Sequence, residues 1–294
     1  MGVHDGGVCQ MAIKRIGVVG SGIMGAGVAE VAAAAGFEVV LRSRSQESAD
    51  AMLAGLDASL ARQLKKERIT DDAAAELRAR VSAVTTLDEL AACDLVLESV
   101  VEDLATKQEL FRELDRVCTP SAILATNTST LPVVEMAMVT ERPDRVCGIH
   151  FFNPAPAMSL VELVPAITTS NEVLAEARAF VEACGKTAVT VKDQAGFIVN
   201  ALLFPYLNNA VRLYDAGVAS RDDIDAAMKG GCNFPMGPLE LLDLVGLDTS
   251  VAILDALFAE FHDPNFAPTP LLRRMVAAQH LGRKTGVGFY DYPR

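Results

Sequence analysis

Short apolar runs alternate with longer helical patterns along the first two thirds of the 294-residue chain. Runs rich in β-branched residues and bounded by Gly or Asp predict strands, and the Ala- and Leu-rich segments between them predict helices. The predicted strands are RIGVVG (15–20), FEVVLR (37–42), CDLVLESV (93–100), SAILATN (121–127) and DRVCGIHFF (144–152). Strands and helices that alternate in this way predict an α/β, Rossmann-like doubly wound fold with a parallel sheet.

Two parts of the chain depart from this alternation. Residues 45–82 are too long for one crossover helix and predict two antiparallel helices turned at RITDD, with Thr70 or Asp71 as the second N-cap. From Phe197 onward almost only amphipathic helical patterns remain, broken by loops that contain Gly and Pro. The pattern therefore predicts a nucleotide-binding domain over residues 12–194 and an all-helical domain over residues 195–294.

Composition limits the partners and the compartment. Asp and Glu outnumber Lys and Arg by 38 to 26, and the net charge of −12 argues against nucleic acid or an anionic membrane as the main partner. No apolar stretch approaches the ~18 to 20 residues that span a bilayer. The opening MGVHDGGVCQ lacks the basic and apolar regions of a signal peptide, and the six cysteines show no metal-ligand spacing. We therefore expect a cytoplasmic protein without a metal site.

A glycine pattern follows the first predicted strand. Gly20, Gly22 and Gly25 have the G-x-G-x-x-G spacing, and an Ala-rich helical segment begins there. Glycines allow a tight turn and a close approach of the backbone to a pyrophosphate, and the helix N-terminus adds partial positive charge. The alternative is an ordinary tight turn between strand and helix. The context favours dinucleotide binding, with contacts from Gly20, Ser21, Gly22, Ile23, Met24 and Gly25.

The end of the second predicted strand carries an unusual residue for such a site. An Asp or Glu normally accepts hydrogen bonds from the adenosine ribose here, whereas a 2′-phosphate requires that the carboxylate be absent and a cation be present. Ser43 occupies this position, between Arg42 and Arg44. A hydroxyl beside a guanidinium can bind a phosphate, so the sequence favours NADP use or tolerance. The alternative is that both arginines are solvated surface charges and that the cofactor is NAD.

A histidine and a carboxylate stand out in the segment GIHFFNPAPAMSLVELVP, residues 148–165. His150 ends a predicted strand at the carboxyl edge of the sheet, where ligands of such folds bind. Glu162 interrupts an apolar run, and a carboxylate among aliphatic side chains is costly unless it is paired. We therefore predict a general base, His150, oriented by Glu162. A purely structural histidine is the alternative.

Seven segments together resemble the L-3-hydroxyacyl-CoA dehydrogenases, and most closely the bacterial 3-hydroxybutyryl-CoA dehydrogenases. They occur in order from about residue 12 to the C-terminus: GSGIMGAGVAEVAAAAG, LESVVEDLATKQELF, NTSTLP, HFFNPAPAMSLVELV, DQAGFIVNALL, MGPLELLDLVGLD and GRKTGVGFY. The resemblance implies reversible hydride transfer between NAD(P) and C3 of a (3S)-3-hydroxyacyl-CoA, such as 3-hydroxybutyryl-CoA.

The resemblance also implies roles for individual residues. His150 is implied as the base and Glu162 as its partner, Ser129 as a substrate ligand near the nicotinamide, and Asn200 as an amide that reaches the reacting oxygen. Further implied cofactor contacts are Glu102, Lys107, Ser129, Asn153 and Lys284, and the implied candidates for the CoA phosphates are Lys65, Lys66 and Arg68.

Apolar runs in the helical part, with the resemblance, predict a homodimer through that domain. Two residues depart from the family pattern: Ser43 replaces the usual acid, and Ala201 stands where many members carry arginine. Two other functions stay open, a dehydrogenase of a free hydroxy or sugar acid similar to L-gulonate 3-dehydrogenase, and a non-catalytic protein similar to a lens crystallin. The sequence does not set the length of the acyl chain.

Overall fold

The computed structural model describes residues 13–293. The expectations for MGVHDGGVCQ, for a domain start at residue 12 and for Cys9 therefore lie outside the described residues. The described chain divides into two compact units, of which the first ends at Asp193 and the second begins at Gln194.

The first unit contains one eight-stranded sheet in the order β3-β2-β1-β4-β5-β6-β7-β8. Its strands are β1 (Arg15–Val19), β2 (Glu38–Arg42), β3 (Val81–Val84), β4 (Leu95–Glu98), β5 (Ile123–Thr126), β6 (Val146–Phe151), β7 (Leu160–Pro165) and β8 (Thr187–Thr190). Its helices are α1 (Ile23–Ala34), α2 (Gln46–Lys65), α3 (Asp71–Ala79), α4 (Leu104–Val117), α5 (Val133–Ala137) and α6 (Asn171–Ala183). The predicted α/β doubly wound fold is confirmed.

The sheet differs from the prediction at its two edges. All five predicted strands are present, as β1, β2, β4, β5 and β6. The sheet is not wholly parallel, however, because β7 pairs with β6 in the antiparallel direction, and β8 then pairs with β7 in parallel. β3 was not predicted, since its four residues, VSAV, follow a helix without a Gly or Pro boundary. The parallel strands β1, β2, β4, β5 and β6 bring their carboxyl ends to one edge.

The long segment after β2 forms two helices, as predicted. The Ser45 side chain caps α2 by accepting a hydrogen bond from the Ser48 amide, and Thr70, one of the two predicted N-caps, accepts from the Ala73 amide to begin α3. The α2 residues that are buried follow helical spacing: Ala49, Met52, Leu56 and Leu60. Met52, Leu56 and Leu60 join the core that also contains apolar residues of β1 and β2.

The described part of the second unit is helical. Its helices are α7 (Val199–Asp215), α8 (Arg221–Cys232), α9 (Pro238–Val245), α10 (Leu247–Phe261) and α11 (Pro270–Ala277). Asp225 on α8 accepts hydrogen bonds from the Leu239 and Glu240 amides, so a buried carboxylate caps the N-terminus of α9. Among residues 13–293, no helix is long and apolar enough to span a membrane.

Candidate active site

The glycine loop after β1 has the geometry of a phosphate-binding turn. Gly20 has φ +124°, and a Cβ at this position would collide with the Ser99 carbonyl oxygen. A Cβ at Gly25 would collide with the Gly20 carbonyl oxygen, whereas Gly22 faces open space. Gly22 is also the N-cap of α1 and offers no capping side chain. The first amides of α1 are therefore available to a phosphate that approaches over Gly22.

A cavity of about 770 Å³ extends from this loop along the carboxyl edge of the sheet. Gly20 and Gly22 of the loop line it, together with Arg42 at the end of β2, Ser43 directly after that strand, and Glu109 on α4. Large apolar side chains are exposed nearby in the chain: Ile23, in the loop motif, is 77% exposed, and Val101, which lines the cavity, is 61% exposed. Open space, an uncapped helix and exposed apolar groups fit a bound dinucleotide.

Three residues that line this cavity carry buried polar atoms without a hydrogen-bond partner among residues 13–293. These atoms are Nε of Arg42, Oγ of Ser43 and Oγ of Ser99, which we call the Ser43 cluster. Ser43 is only 2% exposed, so its hydroxyl is a buried group that the described protein does not satisfy. Such a group costs about 1–3 kcal/mol when it stays unpaired. A polar ligand that reached the Ser43 cluster would remove this cost.

A buried ion pair lies at the ends of β4 and β5. Lys107 Nζ lies 2.6 Å from Glu98 Oε1, and these side chains are 1% and 0% exposed. Glu98 Oε1 also accepts from the Val100 amide at 2.6 Å, and Oε2 accepts from Thr126 Oγ1 at 2.7 Å. Both carboxylate oxygens therefore have protein donors, as a buried charge requires.

Glu102 closes this arrangement into a ring. Lys107 Nζ lies 3.2 Å from Glu102 Oε2, while Glu102 Oε1 accepts from Thr128 Oγ1 at 2.5 Å and from the Ser129 amide at 2.9 Å. The Thr128 amide donates back to Thr126. Partial burial raises the pKa of Glu102, but Lys107 and these hydrogen bonds outweigh it and hold the pKa below its ordinary value. This Glu98–Lys107 network (Glu98, Glu102, Lys107, Thr126 and Thr128) fixes the backbone of Ser129.

His150 and Glu162 are brought together by the antiparallel pairing of β6 and β7, where they are register partners. His150 Nδ1 lies 2.8 Å from Glu162 Oε2, and the residues are 6% and 1% exposed. A carboxylate at Nδ1 favours the tautomer with the proton there, which leaves Nε2 as the proton acceptor. Phe152 packs against the His150 ring with centroids 4.5 Å apart, and Asn127 Oδ1 accepts from the Phe151 amide at 2.8 Å.

The other predicted contacts are distributed over both units. In the first unit, Asn153 is exposed in the connection after β6, and Lys65, Lys66 and Arg68 are exposed at the turn between α2 and α3. None of these three cations forms an ion pair with a described residue. In the second unit, Asn200 is 8% exposed on the first turn of α7.

Lys284, also in the second unit, pairs with Asp248 at 2.5 Å. Both side chains are close to half exposed, so solvent screens this pair. Burial raises the pKa of Asp248, but the hydrogen bond from Lys284 and further hydrogen bonds hold it below its ordinary value.

Two family models together match nearly the whole chain. The NAD binding domain of 3-hydroxyacyl-CoA dehydrogenase matches residues 15–194, and the C-terminal domain of 3-hydroxyacyl-CoA dehydrogenase matches residues 196–292. The chain belongs to the 3-hydroxyacyl-CoA dehydrogenase family. The resemblance inferred from the sequence motifs is thereby confirmed.

Several similar members of the family come from bacteria. The chain is 46% identical to a probable 3-hydroxybutyryl-CoA dehydrogenase of Bacillus subtilis, over 96% of this chain and 98% of that protein. It is also 46% identical to a 3-hydroxybutyryl-CoA dehydrogenase of Mycobacterium tuberculosis, over 96% of this chain and 99% of the relative. The crystal structure of the (S)-3-hydroxybutyryl-CoA dehydrogenase from Ralstonia eutropha matches with a TM-score of 0.93 at 41% identity, covering 96% and 100% of the two chains.

Sequence reasoning missed several members of the site. Glu98 stands in an apolar strand, just as Glu162 does, so the rule that a buried carboxylate needs a partner could have found it. Lys107 was predicted as a cofactor contact, but helical spacing from Leu110, Phe111 and Leu114 also places it on the buried face of α4. No local signal marks the partners Thr126 and Thr128, because strand order brings them to Glu98 and Glu102.

Proposed function

We propose that this chain catalyses reversible hydride transfer between NAD(P) and C3 of a (3S)-3-hydroxyacyl-CoA, with 3-hydroxybutyryl-CoA and acetoacetyl-CoA as the substrate pair. The observation that carries the proposal is the His150–Glu162 contact of 2.8 Å at the carboxyl end of β6. The glycine loop opens at the same edge of the sheet. The names of the bacterial relatives support the C4 substrate.

The proposed chemistry assigns one task to each side chain. The nicotinamide, when bound, supplies the hydride acceptor or donor. His150 Nε2 takes the proton of the 3-hydroxyl during oxidation and returns it to the developing alkoxide during reduction. Glu162 stabilises the imidazolium that forms, because it lies against Nδ1. Ser129 and Asn200 donate hydrogen bonds to substrate oxygens.

For the cofactor, we propose NAD(H) use together with tolerance of, or preference for, NADP(H). The matched domain is an NAD binding domain. At the end of β2, however, a buried serine hydroxyl replaces the carboxylate, and the Arg42 Nε beside it is unpaired among the described residues. A carboxylate would repel a 2′-phosphate, whereas a guanidinium and a hydroxyl can bind one. Glu102, Lys107, Asn153 and Lys284 keep their proposed cofactor roles.

Two binding surfaces complete the proposal. Lys65, Lys66 and Arg68 are exposed cations that we assign to the CoA phosphates. The second unit exposes large apolar side chains, among them Leu202 at 71% and Leu244 at 49%, and we assign this surface to a homodimer. Light scattering at micromolar concentration should give twice the 31.2 kDa mass of one chain. A monomer mass would contradict the dimer without affecting the proposed reaction.

A paired assay tests the reaction. Purified protein is supplied with acetoacetyl-CoA and either NADH or NADPH, then with a longer 3-oxoacyl-CoA and with free acetoacetate. We expect cofactor oxidation with the CoA thioesters and (3S)-3-hydroxybutyryl-CoA as the product. In the reverse direction, with NAD⁺ or NADP⁺ supplied as the hydride acceptor, turnover of L-gulonate or a free hydroxy acid without turnover of thioesters would favour the sugar-acid alternative. Failure of every substrate, with cofactor bound, would favour a non-catalytic protein.

A further inference from the structure

Lys186 makes an unusual set of contacts outside the residues assigned so far. Its Nζ donates to the carbonyl oxygens of Ala155 at 2.8 Å, Pro156 at 3.2 Å and Met158 at 2.7 Å. An ammonium has three protons, so these contacts use its full donor capacity. The three acceptors belong to residues 152–159, the connection between β6 and β7. One cation therefore forms hydrogen bonds to three carbonyl groups of this connection, which we call the β6–β7 loop.

The local structure places Lys186 for this contact. Helix α6 ends at Ala183, and Gly185 follows with φ +69°, which turns the chain away from the helix axis. Strand β8 begins at Thr187, whose amide donates to the Ser159 carbonyl at 2.7 Å. Lys186 is thus held between a helix end and a strand start. Its side chain reaches the β6–β7 loop from a backbone that the sheet fixes.

The β6–β7 loop, which Lys186 contacts, includes residues that lie next to the proposed base. Phe152 opens the loop and packs on the His150 ring. Ala155 is 2% exposed and belongs to the main core of the unit. It lies against α1, since a Cβ added at Gly27 would be 3.2 Å from the Ala155 Cβ. The loop therefore links the strand of the base to the helix that begins at the glycine loop.

We propose that Lys186 is a positioning residue, which sets the β6–β7 loop so that Phe152 holds the His150 ring and Asn153 stands at the cofactor edge. This proposal rests on the proposed dehydrogenase function. Without the ammonium, three carbonyl groups lose their shared donor, and no other side chain among residues 13–293 forms a hydrogen bond to the loop. A displacement of about 1 Å near reacting groups can cost as much as ~10²-fold in rate.

Two substitutions separate the positioning role from ordinary stability. Lys186→Met keeps the length of the side chain and removes its donors, whereas Lys186→Arg keeps a cation with several donors. Lys192→Met is the matched control, since Lys192 is an exposed lysine in the same segment. We expect Lys186→Met to lower kcat by about ten- to a hundredfold while the Kd for NADH changes less than about threefold. Lys186→Arg should recover part of kcat, and Lys192→Met should match the wild type.

Hydrogen exchange of the full-length protein gives a readout that needs no substrate. Amide exchange in residues 152–159 should become about tenfold faster in Lys186→Met, while exchange in β1 and β4 stays unchanged. The pH dependence of kcat should keep its midpoint, because the His150–Glu162 contact is retained. If Lys186→Met does not fold, Lys186→Gln replaces it. The loss of kcat and the faster loop exchange are then expected in the same direction but with a smaller magnitude.

The proposal is overturned if loop exchange and kcat in Lys186→Met equal those of Lys192→Met. It is also overturned if the loss of kcat only follows a loss of folded protein. A wild-type protein that turns over no CoA thioester would refute the proposed function but not the role of Lys186 in holding the loop. Hydrogen exchange in Lys186→Met would still test that role, because it needs no substrate.

Discussion

Two regions of one sheet edge differ in how their buried polar atoms are satisfied. In the Glu98–Lys107 network, each oxygen of Glu98 has a protein donor and Lys107 lies between two carboxylates. In the Ser43 cluster, Arg42 Nε, Ser43 Oγ and Ser99 Oγ are buried without a partner among residues 13–293. The first region can hold its geometry without a ligand. The second leaves three buried polar atoms without a partner among these residues, as expected of atoms that the proposed cofactor contacts.

The difference separates groups that hold their geometry in the free protein from groups that have no partner there. Satisfied networks rigidify their surroundings, and here the network fixes the backbone of Ser129 through Glu102. Unsatisfied buried groups cost free energy in the folded protein and recover it on binding. The His150–Glu162 pair belongs with the satisfied groups, because the 2.8 Å contact between Nδ1 and Oε2 orients the ring of the proposed base without a ligand.

The largest expected effect is the loss of stability when a charge is removed from the Glu98–Lys107 network. Glu98→Gln leaves Lys107 buried with only Glu102, which is 38% exposed, as a charged partner. Breaking a buried ion pair costs about 3–5 kcal/mol, and urea denaturation should show a loss of this size. Glu76→Gln is the control, because the Glu76–Arg80 pair of 3.3 Å is exposed and is worth about 1 kcal/mol or less. Equal losses in the two variants would contradict the distinction.

The next largest effect concerns the proposed base. His150→Gln should keep the fold and the affinity for the cofactor but lower kcat for acetoacetyl-CoA by ~10²-fold or more, since a general base is lost. Glu162→Gln should lower kcat as well, because the carboxylate that orients the ring at Nδ1 is removed. Steady-state kinetics measure both losses. Turnover near the wild-type level in His150→Gln would remove the histidine from the mechanism.

A smaller effect contrasts one hydroxyl from each region. Thr126→Val removes the donor to Glu98 Oε2 and should cost about 1–3 kcal/mol in the free protein. Ser99→Ala removes a hydroxyl that has no partner in the described chain, so the free energy of unfolding should change by less than about 0.5 kcal/mol. Cofactor affinity should instead fall about three- to tenfold in Ser99→Ala, as measured by NADH fluorescence. A stability loss in Ser99→Ala equal to that of Thr126→Val would refute the contrast.

The smallest effect is an acid dependence carried by Glu102. Its pKa lies below the ordinary value of 4.5, so the charged form is favoured in the folded state. The stability that this carboxylate adds is complete above the unfolded pKa and is lost as pH falls through the folded pKa. Glu102→Gln should therefore flatten the dependence of unfolding on pH below about 5. An unchanged acid profile would show that Glu102 contributes nothing to it.

The parts of the site that sequence predicted are local or carry a chemical cost. The glycine pattern lies within a few consecutive residues. Gly20 has a positive φ, and a Cβ at Gly20 or at Gly25 would collide with a backbone carbonyl oxygen, so both positions require glycine. Glu162 was predicted because a carboxylate in an apolar run needs a partner. The antiparallel direction of β7 was not predicted, although that direction creates the His150–Glu162 register. The alternation of strands and helices carries no sign of a strand that reverses.

The pattern of strands and helices could not predict contacts between residues that are far apart in the sequence. Thr126 lies 28 residues from Glu98, and only the adjacent positions of β4 and β5 bring them together. Lys186 contacts carbonyl groups about 30 residues earlier, and a backbone acceptor leaves no trace in residue type. The unpaired state of Ser43 Oγ depends on the whole cavity, so sequence indicated a missing carboxylate but not the buried, unsatisfied hydroxyl.

The claim that the Ser43 cluster is left for the cofactor is tested most directly by Ser43→Asp. Reduction of acetoacetyl-CoA is followed with NADH and with NADPH, in wild type and variant, at fixed ionic strength because salt screens a phosphate contact. Each charge-assisted bond to the phosphate is worth about 1.5–3 kcal/mol, so the ratio of kcat/KM for the two cofactors should swing toward NADH by roughly ten- to a hundredfold. A wild type that already prefers NADH strongly, with a ratio unchanged in Ser43→Asp, would contradict the account.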